Sequence, residues 1–166
     1  MLLLLLPLVA MQFTDEVNWD AADFVIFGAM LVGAGGAFEL AARRTGNKAY
    51  RAAVGVALAT AFILIWMNLA VGIIGSEDNP ANLMYGGVLA VWLIGAVIAR
   101  FQPHGMARAL VATAIAQALV AVIALIAGLG FTLMLTGIFA ALWLGSAWLF
   151  RRAATSTAEG AAIRAR

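Results

Sequence analysis

The sequence has no cysteine and a single histidine, His104, among its 166 residues. Disulfides, thiol nucleophiles and cysteine-ligated metals or clusters are therefore excluded. One imidazole cannot by itself build a multi-histidine metal or haem site. Charge is also scarce: Asp, Glu, Lys and Arg together make up 11%, against about 25% in an ordinary soluble domain. No catalytic motif of known mechanics is present, and no calcium-loop spacing of acidic residues. What remains is 65% hydrophobic residues gathered into long runs between short polar turns, the pattern of an integral membrane protein. The runs leave no room among these residues for a soluble catalytic domain. The formal charge of +2 is no nucleic-acid signal, because the basic residues sit in turns between apolar runs rather than on a basic domain.

A membrane-spanning helix needs about 20 apolar residues. Five runs qualify, at about Ala21 to Ala42, Ala52 to Ile74, Pro80 to Ala99, Met106 to Ala127 and Phe131 to Phe150. The expected fold is all-α, a polytopic membrane helical bundle of five transmembrane helices in one domain. Gly128-Leu129-Gly130 is the only break between the last two runs, and without it they would form one stretch of twice a bilayer crossing. The leading MLLLLLPLVA is too short to span, and it lacks the basic flank of a signal peptide. It reads either as an interfacial or signal-like segment or as residues preceding a true start at Met11. The tail from Arg151 onward reads as frayed or as a short exposed helix.

Charge divides the turns by sign. All ten Lys and Arg residues fall on one side, in or beside alternate connections or in the tail: Arg43, Arg44, Lys48, Arg51, Arg100, Arg108, Arg151, Arg152, Arg164 and Arg166. Six of the eight acids, Asp15, Glu16, Asp20, Asp23, Glu77 and Asp78, fall in the others. The positive-inside rule then predicts an external N-terminus and a cytoplasmic C-terminus. Spans one–two and three–four each turn through a basic loop, a faint repeat of the kind found in transporters.

The outer turn between spans two and three organises the reading. Gly75 follows the last apolar residue, where a helix end favours glycine. Asn79-Pro80 is a restart signal, the amide capping free N–H groups and the proline suiting the first helical position. Glu77 and Asp78 complete an acidic turn, read as solvated, with a weak Ca²⁺ or Mg²⁺ site as the alternative. The stretch NLAVGIIGSEDNPANLMY, Asn68 to Tyr85, and more loosely ARFQPHGMARAL, Ala99 to Leu110, resembles a set of small uncharacterised bacterial inner-membrane proteins. That resemblance implies a multi-pass location in the inner (cytoplasmic) membrane and no particular activity.

Glu39, Asn68 and Gln117 are the candidate polar sites within the spans. Glu39 is the one intramembrane carboxylate, a default site for a proton or cation. Arg43 follows at four residues, however, so a snorkelling ion pair on one helix face is the favoured reading. The amides of Asn68 and Gln117 must find partners inside the bundle. They read first as interhelical hydrogen bonds and second as the lining of a solute path. Small residues at four-residue spacing permit close helix approach. Gly137, Ala141 and Gly145 in span five form the sharper stripe, Ala53, Ala57 and Ala61 in span two the weaker. The expected function is a small non-enzymatic membrane subunit without a cofactor, set in the lipid bilayer as a homo-oligomer or in a larger membrane complex. The alternative is a small transporter or channel for a small solute or cation. A polar cavity lined by Asn68 or Gln117 favours the second, and a dry core with an exposed small-residue face favours the first.

Overall fold

The structure, a computed structural model, describes residues 2–13, 19–76, 78–129 and 133–164. Its helices are α1 (Leu5–Ala10), α2 (Ala21–Arg44), α3 (Lys48–Ala70), α4 (Met84–Ile98), α5 (Pro103–Ile126) and α6 (Leu133–Arg164). Short 3-10 turns at Leu2–Leu4 and Pro80–Leu83 precede α1 and α4. Among the described residues, five segments are long and apolar enough to cross a membrane: α2, α3, Pro80–Ile98, α5 and the Leu133–Ser156 part of α6.

Polar residues at the helix ends explain where most spans begin. Asp20 accepts from the backbone N–H groups of Ala22 and Asp23, while Asp23 accepts in return from Asp20 N–H, so two carboxylates satisfy three free donors at the start of α2. Asn47 caps α3 by accepting from Tyr50 N–H. Its amide N–H also donates to Ala153 O at 3.2 Å and to Ser156 Oγ at 2.8 Å, tying the α2–α3 turn to α6.

The ends differ from the sequence reading in three places. First, α3 stops at Ala70 rather than near Ile74, and Gly72, with φ of +67°, supplies the left-handed residue after the helix. Ile73 and Ile74 belong to the loop, buried in the core. Gly75 is also left-handed, at +71°, but as a loop residue. Second, Pro80 opens a 3-10 turn, and the α-helix itself begins at Met84. Third, α6 runs unbroken past Arg151 to Arg164, whereas the sequence predicts a frayed tail or a short exposed helix from Arg151.

Two inter-helix turns share one backbone motif. After α5, Gly128 N–H donates to Leu125 O and Leu129 N–H to Ala124 O, with Gly128 at φ +66°. This is the Schellman stop that glycine favours, and Leu129 folds back onto the core. Gly130 lies outside the described residues. After α4, the same pair of bonds joins Arg100 N–H to Val97 O and Phe101 N–H to Ala96 O. There the left-handed positions are held by Arg100 (φ +48°) and Phe101 (φ +58°).

Helix α6 packs between α5 and α3, α4 packs on α5, and α2 lies against α3 at the edge. The core centres on Leu64, Ile74, Tyr85, Leu110, Trp143 and Phe150. Small residues set how near the helices come. Ala53, Ala57 and Ala61 of α3 are all buried, and the Ser146 hydroxyl of α6 donates directly to Ala53 O at 2.8 Å. In the α4–α5 hairpin a β-carbon at Gly95 would lie 2.7 Å from Ala109 Cβ, and one at Gly105 2.7 Å from Ala99 Cβ. Both glycines are required by close approach. Helix α2, by contrast, has no buried residue. It is held to α3 partly by rings: Trp19 packs tilted against Trp66, and Phe27 meets both Trp66 and Phe62 edge-on.

Candidate functional site

Chemistry-bearing side chains gather at three levels of the bundle. At the acidic end, the α3–α4 loop is held by Asn82, a buried residue that the sequence reading passed over. Its Oδ1 accepts from Ile73 N–H at 3.1 Å and Ile74 N–H at 2.8 Å. Its Nδ2 donates to Ile74 O and Ser76 O. One side chain thus satisfies four backbone groups of a non-helical segment, the accounting that a buried loop demands. Asn79 caps as expected, accepting from Ala81 N–H at 3.0 Å. Beside this loop lies an open cleft of about 480 Å³, lined by Asn68, Asp78, Asn79, Pro80, Asn82 and neighbouring apolar residues. Asn68 is half-buried and Asp78 is exposed. Glu77 lies outside the described residues. Among the described residues no group of three His, Asp or Glu side chains converges as a metal site would require.

At mid-bundle, Gln117 of α5 is fully buried. It faces the bundle, as its amide requires, yet neither Oε1 nor Nε2 has a hydrogen-bond partner among the described residues. The indole N–H groups of Trp92 and Trp143 are likewise buried and unpaired, with the two rings 5.7 Å apart. The buried hydroxyls of Thr60 and Thr113 donate within their own helices, to Val56 O and Ala109 O. The expected interhelical bond from Gln117 is therefore not made among the described residues. Nor does Gln117 line the cleft that holds Asn68, so the two amides do not share one site.

At the basic end, Glu39 accepts from Arg43 Nε at 2.8 Å, and both side chains are more than half exposed. This is the i,i+4 pair on one helix face. A second open cleft, of about 530 Å³, lies beside it between the end of α2, the start of α3 and the α4–α5 turn. Arg44, Tyr50, Arg100 and Gln102 line it together with Leu40 and Phe101. The Tyr50 hydroxyl donates to Phe101 O at 2.8 Å, anchoring the left-handed turn. Sequence reasoning placed Arg44 and Arg100 in basic loops without bringing them together. Their juxtaposition follows from α2 and the α4–α5 turn both packing beside the start of α3.

The small-residue stripes are reversed in role. Ala53, Ala57 and Ala61 make the tight contact inside the chain, whereas Gly137, Ala141 and Gly145 lie on the exposed face of α6. A β-carbon at Gly137 or Gly145 would meet nothing within 4 Å. The reason is that Phe139, Trp143, Ser146, Ala147 and Phe150 turn the opposite face of α6 to the core. Comparison with family models, with curated proteins and with solved structures finds no match for this chain.

Proposed function

We propose that the protein is a small non-enzymatic subunit of the bacterial inner membrane that works by lateral association, with itself or within a larger membrane complex. The observation carrying this reading is the Gly137, Ala141, Gly145 stripe. It lies uncovered between exposed Met134, Ile138, Leu144 and Trp148, on a helix whose other face is fully used. Small-residue stripes let helix backbones approach closely where apolar burial gives no net drive between helices in lipid. The chain already uses its alanine stripe on α3 in this way. The charge division supports an external N-terminus and a cytoplasmic C-terminus. A reporter fused after Arg166 should then be cytoplasmic, and one in the 72–79 loop external.

The absence of cysteine makes the association test direct. Ala141→Cys is expected to give disulfide-linked or bismaleimide-linked species in native membranes. Ile126→Cys, on the lipid-facing end of α5, should not. A purely monomeric Ala141→Cys pattern, with no heavier adduct to any protein, refutes the reading.

Transport of a small solute or cation is the second reading, favoured by the unpaired Gln117 amide at mid-bundle and by the cleft holding Asn68 and Asp78. Liposome flux that vanishes in Gln117→Leu while the fold persists would bring it ahead.

A further inference from the structure

We propose that the cleft at the basic end binds the phosphate headgroup of an anionic phospholipid, with Arg44 and Arg100 holding the phosphate. Three observations converge on it. The first is charge. Two arginines from separate parts of the chain line the cleft, and no carboxylate is among its lining residues. Glu39, the carboxylate nearest to Arg44 along the same helix, is engaged by Arg43. Guanidinium groups hold phosphate oxygens through charge-assisted, bidentate bonds. The second is the start of α5. Its N-cap residue, Gln102, makes no side-chain cap bond, and Gln102 and Pro103 form part of the cleft wall. A 24-residue helix therefore directs the positive end of its dipole toward the space where the phosphate would sit.

The third is backbone conformation. Arg100 occupies the left-handed position of a Schellman turn, at φ +48°. At the same motif after α5 the chain uses Gly128. A side chain that breaks the local preference at one of two like turns marks a place where the side chain itself is needed. Together these describe a basic pocket between membrane helices, the form in which phospholipid headgroups are bound. The amphiphile is favoured over a free ion because Leu40 and other small apolar residues of α2 form one wall of the cleft. That wall continues onto the uncovered surface of α2, where acyl chains would lie.

The test uses the full chain in nanodiscs of phosphatidylcholine alone or with phosphatidylglycerol. Thermal unfolding and native mass spectrometry of retained lipid are the two readouts. Phosphatidylglycerol should raise the melting temperature of the wild type and remain bound. Arg44→Gln should weaken retention roughly tenfold or more, as expected for loss of a charge-assisted contact. Arg100→Gly should lose the phosphatidylglycerol-dependent rise while melting in phosphatidylcholine no lower than the wild type, since glycine suits the turn. This separates binding from folding. Arg152→Gln removes the same charge from the same end, where Arg152 stacks on Trp148, and should keep most of the rise. Equal loss in all three variants means diffuse attraction to a basic surface and overturns the proposal. Inorganic phosphate added to phosphatidylcholine discs is the remaining arm. If it gives the same rise with the same dependence on Arg44 and Arg100, the ligand is a free phosphate and the lipid assignment falls.

Discussion

Adding one methyl group to two glycines of the same fold should have opposite consequences. Gly95 and Gly145 both lie inside apolar helices, so alanine at either improves intrinsic helix propensity by roughly 1 kcal/mol. Their tertiary surroundings differ. A β-carbon at Gly95 would lie 2.7 Å from Ala109 Cβ and 3.3 Å from Ala109 Cα. Carbon atoms rest at about 3.5–4.0 Å, and an alanine has no rotamer with which to withdraw, so α4 and α5 must separate by about 1 Å. Overpacking of this kind costs about 1–3 kcal/mol. Net of the propensity gain, Gly95→Ala should range from near neutral to about 2 kcal/mol destabilising. At Gly145 nothing lies within 4 Å, so alanine should stabilise the monomer by up to roughly 1 kcal/mol. The two variants should therefore differ by about 1–3 kcal/mol, all of it attributable to the hairpin contact. The assay is equilibrium unfolding in mixed micelles at dilutions where the protein is monomeric. Gly35→Ala, equally open and outside α6, serves as a second reference. If Gly95→Ala tracks Gly145→Ala and Gly35→Ala, the hairpin is not glycine-limited and the packing account fails.

The remaining predictions follow from the polar groups. Asn82→Ala strands two buried backbone donors and should cost several kcal/mol, at about 1–3 kcal/mol per group. Asn79→Ala should cost about 1 kcal/mol; thermal melts showing the reverse order would place the loop's anchor at the cap. Gln117→Leu removes an unpaired buried amide and should leave stability unchanged or raise it by about 1–3 kcal/mol, whereas a lower melting temperature would mean that the amide is satisfied in the membrane. Glu39→Gln breaks an exposed pair and should change stability by only a few tenths of a kcal/mol. A large loss in the same melts would give this carboxylate a role beyond the pair.

The spans were legible because twenty apolar residues between polar turns have few alternatives in a chain this poor in charge. Their ends were less so. The apolar run continues through Ile73 and Ile74, so composition carries span two past the real stop at Gly72. Only a loop that Asn82 can satisfy lets two isoleucines enter the core without being helical. The faces of the helices were the least legible. In spans apolar all round, nothing in the sequence marks which stripe meets a neighbour: the glycine stripe of α6 is the sharper in spacing, yet the alanine stripe of α3 makes the contact. Gly95 and Gly105 do not share a helix. Their meaning lies in pairing with Ala109 and Ala99 across the hairpin, a relation that spacing along one helix cannot express. Arg44 and Arg100 are hidden for the same reason, as neighbours separated by two spans of sequence.

The length of α6 makes the bundle's attitude in the membrane readable from the aqueous side. From Leu133 to Phe150 the helix matches a hydrocarbon layer of about 30 Å, and the stretch to Arg164 adds roughly 21 Å more at 1.5 Å per residue. That extension is continuous with the span, and its base is clamped by Asn47 at Ala153 and Ser156. It therefore acts as a stiff pointer. A change of about 20° in helix tilt, within the spread found among membrane helices, would swing its end by roughly 16 Å over a helix about 48 Å long. A tilt that displaces the helix by about 9 Å across the bilayer would thus move its far end by roughly 16 Å, a displacement large enough for a soluble neighbour to register.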